Sequence, residues 1–118
     1  MSKRILVAED DMIIQMFISR VLTNAGFEVV AEARNNEQVL EMAKEHKPEL
    51  ILLDIGLDGE KDGIQTAIEL KEIMDVPFMF LTGNSDEATI EKAKKCNPVG
   101  FTFKPIDEVR LVKEINKL

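Results

Sequence analysis

Short apolar runs alternate with helix-period patterns five times along this chain of 118 residues. Residues 4–9, R-I-L-V-A-E, read as a first strand. Ile13, Ile14, Phe17, Ile18, Val21 and Leu22 then recur at helical spacing, and Gly26 stops the helix. Residues 27–33, F-E-V-V-A-E-A, alternate weakly and suit a strand at or near a sheet edge. Asn35 with Gln38 three positions later starts a second helix, whose buried face is Val39, Leu40, Met42 and Ala43 and which Pro48 ends. Residues 49–54, E-L-I-L-L-D, are apolar on both faces, as a central parallel strand covered on both sides must be. After the loop I-G-L-D-G-E-K-D-G, a third helix is expected from about 63 to 74 and a fourth strand over 77–82. A fourth helix, capped by Asn84 or Ser85, should reach about Cys96. A fifth strand over 99–103 precedes a last helix that begins at or just after Pro105 and ends with the chain.

Five strand–helix units imply an α/β fold: a doubly wound parallel five-stranded sheet with helices on both faces. In such sheets a ligand crevice forms at the carboxyl ends of the strands. Those ends bring together Glu9, Asp10 and Asp11 after strand one, and Asp54 after strand three. They also bring Thr82 and Gly83 after strand four, and Lys104 after strand five.

Charge narrows the chemistry of that crevice. A formal net charge of −7 argues against direct nucleic-acid binding, which relies on Lys and Arg. The single cysteine, Cys96, excludes an internal disulfide and suits a cytoplasmic protein. His46, the one histidine, lies in H-K-P at a helix end and reads as an exposed residue, not as a ligand or base. No apolar stretch has the length of a membrane span, so no membrane partner is expected.

Neighbouring carboxylates ~5 Å apart repel by roughly 3 kcal/mol at an effective dielectric near 20. Acids stand where a phosphate-binding sheet usually offers glycines, and both Gly-x-Gly-x-x-Gly and the Walker pattern are absent. A hard divalent cation offsets the repulsion, and Mg²⁺, with Mn²⁺ as a substitute, fits oxygen ligands. Asp11 is the acid expected to cap the first helix. Asp54, beside a cation, stays ionised and able to attack phosphorus to give an acyl phosphate. Lys104, Thr82 and backbone amides near Gly56 and Gly83 are placed to receive the phosphoryl oxygens.

E-D-D at 9–11, I-L-L-D ending at Asp54, D-G at 62–63, L-T-G at 81–83 and K-P at 104–105 occur in that order over the whole chain. In this the sequence resembles the response-regulator receiver domain, of the single-domain chemotaxis-regulator type. The resemblance implies a flavodoxin-like sheet of order 2-1-3-4-5 and one receiver domain over residues 1–118 with no output domain. It implies a regulatory phosphoacceptor of a two-component phosphorelay, not an enzyme in its own right. Asp54 would take a phosphoryl group from a sensor histidine kinase or phosphotransfer protein. Glu9, Asp10, Asp54 and the Gly56 carbonyl would hold Mg²⁺. Lys104 and the Gly83 amide would meet the phosphoryl group, and a cis Lys104–Pro105 bond would aim the lysine. Thr82 and Phe101 would switch a surface of helix four, strand five and helix five toward a downstream protein. Lys92, Lys94, Lys95, Glu108, Arg110 and Lys113 are candidates to decorate that face, and Gln15, Met16 and Ser19 to dock the kinase.

The chain also departs from the family pattern. The loop 55–62 lacks a proline and is one residue longer than usual, and Gly56 and Asn84 occupy positions that tune self-dephosphorylation. Before strand five, K-C-N-P-V-G lacks the acidic dipeptide of the DNA-binding subclass that dimerises there. An aspartyl-phosphate phosphohydrolase would need an acid two residues after Asp54, where Gly56 stands. A nucleotide or flavin binder would need a phosphate-cradling loop. The remaining alternative is a phosphorylation-independent interaction module, which usually lacks one of Asp54, Asp10 and Lys104.

Overall fold

A computed structural model describes residues 3–57, 59–83 and 86–118. Its elements are β1 (Arg4–Ala8), α1 (Met12–Asn24), β2 (Glu28–Ala33), α2 (Asn36–His46), β3 (Leu50–Asp54), α3 (Gly63–Ile73), β4 (Phe78–Thr82), α4 (Glu87–Lys94), β5 (Gly100–Phe103) and α5 (Glu108–Asn116). All pairings are parallel and the order is β2-β1-β3-β4-β5, as the resemblance implied. β2 is an edge strand, which accounts for its weak alternation.

The period of two along the strands divides the core. Leu6, Ala8, Ile51, Leu53, Phe78 and Phe80 pack with Val39 and Ala43 of α2, Ala67 and Leu70 of α3, and Ala93 of α4. Ile5, Val7, Leu50, Leu52, Met79 and Leu81 pack with Ile18, Val21 and Leu22 of α1 and Leu111 and Ile115 of α5. β3 and β4 are buried at every position, because helices cover both faces.

Helix ends follow local chemistry. Asp11 caps α1, accepting from the Ile13 and Ile14 amides at 2.9 and 3.2 Å. Asn35 caps α2 through Gln38 N at 2.9 Å, and the Gln38 side chain accepts from Arg34 N at 2.8 Å. The expected caps Asn84 and Ser85 lie outside the described residues, and Asp86 holds the N-cap position of α4. α4 ends at Lys94 instead of reaching Cys96, because the chain turns through Asn97 in the left-handed region (φ 56°) before Pro98. α5 begins at Glu108, later than Pro105, because Asp107 supplies the cap and accepts from Arg110 N at 2.9 Å. The Lys104–Pro105 bond is cis.

Phe80 is fully buried and touches the rings of Phe78 and Phe101 at centroid distances of 5.3 and 5.9 Å. Phe80→Ala is expected to lower unfolding free energy by about 3–5 kcal/mol, the range for emptying an aromatic site in a packed core. Urea titration checks it, and a loss under 1 kcal/mol would mean that the core refills around the gap.

Candidate functional site

The β1–β3 register sets Ala8 beside Leu53, so the next residues, Glu9 and Asp54, end the two central strands side by side. Both are buried, at 1% and 3% exposure, which is unusual for carboxylates. Asp10 is half-buried beside them, and one carboxylate oxygen from each of Glu9, Asp10 and Asp54 falls within 4.8 Å of the others. These three residues could hold a metal ion.

The three consecutive acids separate by role. Asp11 turns outward to the α1 cap, and its backbone N–H donates to Glu9 Oε2 at 3.1 Å. Gln15, one helical turn on, donates from Nε2 to the carbonyls of Glu9 and Ala33 at 3.1 and 3.2 Å. The side chain and the main chain of Glu9 are thus both fixed from α1.

Lys104 supplies the positive charge. Its Nζ lies 2.7 Å from Glu9 Oε1 and 3.2 Å from Asp54 Oδ2, and its backbone N–H donates to the Thr82 carbonyl at 2.9 Å. Asp54 Oδ1 accepts from Gly56 N at 3.0 Å. Thr82, Gly83, Gly56, Asp62 and Thr89 border the same open concavity of about 550 Å³. Thr82 is buried at 1% exposure, and Phe101 is half-buried against the α2–α4 side of the core. Glu9, Asp10, Asp54, Gly56, Thr82, Gly83 and Lys104 therefore gather at this end of the sheet, and Phe101 lies below them on β5, paired with Phe80.

Burial, and then the adjoining Asp54 carboxylate, push the Glu9 carboxyl up to about 7, against the pull of Lys104 and the Asp11 amide. Burial acts on Lys104 in the opposite sense to its acidic neighbours. The Glu9 hydrogen bond and the Asp54 and Glu9 charges prevail, and its pKa lies above the ordinary lysine value.

Three expectations need correction. Gln15 is not a docking residue, because it is buried and spent on main-chain carbonyls. Ser19 is tied to β2, donating to Glu32 Oε2 at 2.6 Å, so Met16 alone of that trio is openly exposed. Lys92 and Lys95 face α3 across a groove instead of decorating the α4–β5–α5 face.

One residue acquires a role that the sequence reading did not give it. A Cβ on Gly63 would collide with the Asp54 carbonyl oxygen and lie 2.7 Å from Ile55 Cα. Gly63 N donates to the Ile55 carbonyl at 2.8 Å. Its lack of a side chain lets the first turn of α3 sit directly on the end of β3. Gly83 is different: a Cβ there would make only ordinary contact with Lys104 Cδ, at 3.7 Å.

The family model described as "Response regulator receiver domain" matches residues 5–116. The chain belongs to the response-regulator receiver family of two-component systems, a regulatory family. Receiver domains bind Mg²⁺ at an acidic pocket and interact with histidine kinases and downstream effectors, and Glu9, Asp10 and Asp54 form such an acidic group here. The chain is similar to the chemotaxis protein CheY of Bacillus subtilis, 35% identical over 99% of this chain and 98% of that one. It is also similar to the transcriptional regulatory protein PdtaR of Mycobacterium tuberculosis, 31% identical over 96% of this chain. This chain spans only 55% of the length of PdtaR. Among solved structures, the signal receiver domain of a modulated diguanylate cyclase from Desulfovibrio desulfuricans superposes with a TM-score of 0.92 at 29% identity, over 99% of this chain and 93% of that one. Among the described residues, no helix is long and apolar enough to cross a membrane.

Two predictions follow from this geometry. Gly63→Ala is expected to destabilise by roughly 1–3 kcal/mol, as overpacking does, although alanine is the better helix former. A neutral or stabilising result in urea titration would refute the close approach of α3 to β3. The second concerns pH. Between about 4.5 and about 7 the folded state keeps the Glu9 proton that the unfolded chain has released. Stability from this group is therefore full below 4.5 and is lost as pH rises through 7. Glu69 works the other way: the Gln65 hydrogen bond and then Lys61 hold its carboxyl low, so its contribution is lost on acidification. The discriminating quantity is thus the stability of wild type minus that of Glu9→Gln in chelator. It should fall across pH 4.5 to 7, and a flat difference would count against the shift.

Proposed function

We propose that this receiver accepts a phosphoryl group on Asp54 in a Mg²⁺-dependent reaction and passes the signal to a partner protein. The observation that carries the reading is the convergence of the Glu9, Asp10 and Asp54 carboxylates with the Lys104 ammonium on two of them.

Glu9, Asp10 and Asp54 would hold the cation, with the Gly56 carbonyl completing the set. When bound, Mg²⁺ neutralises the carboxylates and the developing charge on the phosphoryl oxygens. A carboxylate oxygen of Asp54 forms the new O–P bond as the N–P bond of a donor phosphohistidine breaks, and the imidazole leaves with the bonding electron pair and takes a proton. Gly56 N–H and Lys104 already hold one Asp54 oxygen each, which fixes the carboxylate before attack. Lys104 then follows the negative charge onto the phosphoryl group, and the Thr82 hydroxyl and the Gly83 amide donate to its other oxygens.

The switch runs through Thr82 and Phe101, which lie on neighbouring strands beside Phe80. Movement of Thr82 toward the phosphoryl group lets Phe101 exchange its half-buried place for a deeper one, and so reshapes the α4–β5–α5 surface. Docking of the phosphodonor falls to α1, whose Met12, Ile13, Met16 and Phe17 are 56%, 80%, 59% and 42% exposed next to the acids. A sensor histidine kinase or phosphotransfer protein is the donor, a second protein is the target, and the setting is the cytoplasm. The domain extends over residues 1–118.

Intact-protein mass after incubation with acetyl phosphate tests the reading. One added phosphoryl is expected on wild type with Mg²⁺, and none with chelator or on Asp54→Asn. Absence of the adduct, together with no Mg²⁺-dependent beryllofluoride complex, would leave a phosphorylation-independent interaction module.

A further inference from the structure

A second concavity lies between α3 and α4, away from the carboxylates. Its volume is about 620 Å³, and Ile64, Ile68 and Cys96 form an apolar floor. Ile68, a branched apolar side chain, is 45% exposed. Lys71, Lys92 and Lys95 form the rim. Through Lys71 the groove continues into a hollow of about 340 Å³ toward Met74, Val76 and Val99 at the foot of the sheet.

The charge on this rim is out of keeping with the rest of the molecule. The chain carries 22 acidic and 15 basic residues, yet three lysines meet on one groove. Neither Lys92 nor Lys95 has an ion pair among the described residues, whereas Lys61, Lys94 and Arg110 all do. Lys71 lies over the Phe78 ring, 5.8 Å from its centroid. Among the described residues two acids border the groove: Asp62, engaged as the α3 cap through Gln65 N, and Glu72. Cys96 lends apolar surface and not reactivity: burial raises its thiol pKa, and its Sγ faces the Lys92 carbonyl at 3.8 Å.

We propose that the α3–α4 groove binds an acidic amphipathic helix of a partner protein. Its apolar residues would lie on Ile64, Ile68 and Cys96, and its carboxylates would meet Lys71, Lys92 and Lys95. An apolar floor between two helices suits the i, i+3, i+4, i+7 stripe of a third, and the lysine rim selects for acids beside that stripe. An apolar floor is wasted on a nucleic acid, whose affinity comes from phosphates. The proposal does not depend on phosphoryl transfer to Asp54.

The test is an amide NMR titration of the isotope-labelled protein. The probe is a synthetic, end-capped peptide with leucines at i, i+3, i+4 and i+7 and glutamates at most other positions. Expected are saturable shifts centred on Ile64, Ile68 and Cys96, weakening with salt. Binding should be roughly tenfold weaker in Lys92→Glu/Lys95→Glu. Both lysines are exposed, so the variant should melt with the wild type, and Ile68→Asn supplies an independent lesion of the floor. The same peptide with lysine for glutamate should not bind. Absence of shifts at millimolar peptide, shifts centred on α1, or equal binding by the charge-reversed variant would each overturn the proposal. Equivalent shifts at the groove from a single-stranded oligonucleotide of matched charge would assign it to polyanions and overturn it too.

Discussion

Two carboxylates end adjacent central strands, and the parallel register leaves them no means of separating. The Ala8–Leu53 pairing carries Glu9 alongside Asp54, with both side chains out of bulk water. At dielectric constants below that of water, their repulsion is of the same size as a sizeable fraction of a small domain's stability. Among the described residues, Lys104 is the one cation that touches both. It reaches them from β5, two strand positions from β3, a lateral distance of roughly 10 Å at the usual strand spacing. Its aliphatic stem passes over Gly83, where even an added methyl would meet it at ordinary contact distance. The arrangement sets one ammonium against both acids while leaving the concavity above them open.

Much of the surrounding structure restrains those groups. Asp11 gives its side chain to α1 and its amide to Glu9, so one residue both begins the helix and orients the acid. Gln15 ties α1 to the ends of β1 and β2. Gly63 brings α3 onto the backbone of Asp54 and Ile55. Each contact is short-range and sits at a strand end, above a core whose two halves are already filled. Polar preorganisation of this kind requires rigid elements beneath it.

The sequence made the strands and helices legible because β3 and β4 are apolar throughout and the helices keep a 3.6-residue stripe. Knowing that ligand crevices lie at carboxyl strand ends then sufficed to gather Glu9, Asp54, Thr82 and Lys104. Gly63 was visible only as half of a motif. Its steric role depends on a backbone approach that no periodicity encodes. Gln15 looked like a surface residue on an amphipathic helix, and only the positions of two distant carbonyls reveal it as buried. Lys92 and Lys95 were assigned to the wrong side of α4 because the direction in which a short helix faces is set by packing. The ends of α4 and α5 shifted because Asn97 and Asp107 control them through local backbone and cap geometry, not through hydrophobic pattern.

Packing also distributes freedom unevenly between the walls of the α3–α4 groove. α3 buries Gly63, Thr66, Ala67 and Leu70 and is fixed at its first turn to the end of β3. α4 has eight residues and buries Ala93 alone. A helix that short has little stability of its own in water, where isolated helices under about 12–15 residues are marginal. It is therefore held by few contacts, and local opening is cheapest where buried contacts are few. One wall of the groove is anchored to the end of β3 through Gly63, whose N–H donates to the Ile55 carbonyl, while the other can shift at low cost. Asp62 borders both concavities, so the first turn of α3 is common structure to the carboxylate site and the groove. Any change that repositions α4, from either of its sides, acts on the same lightly held helix.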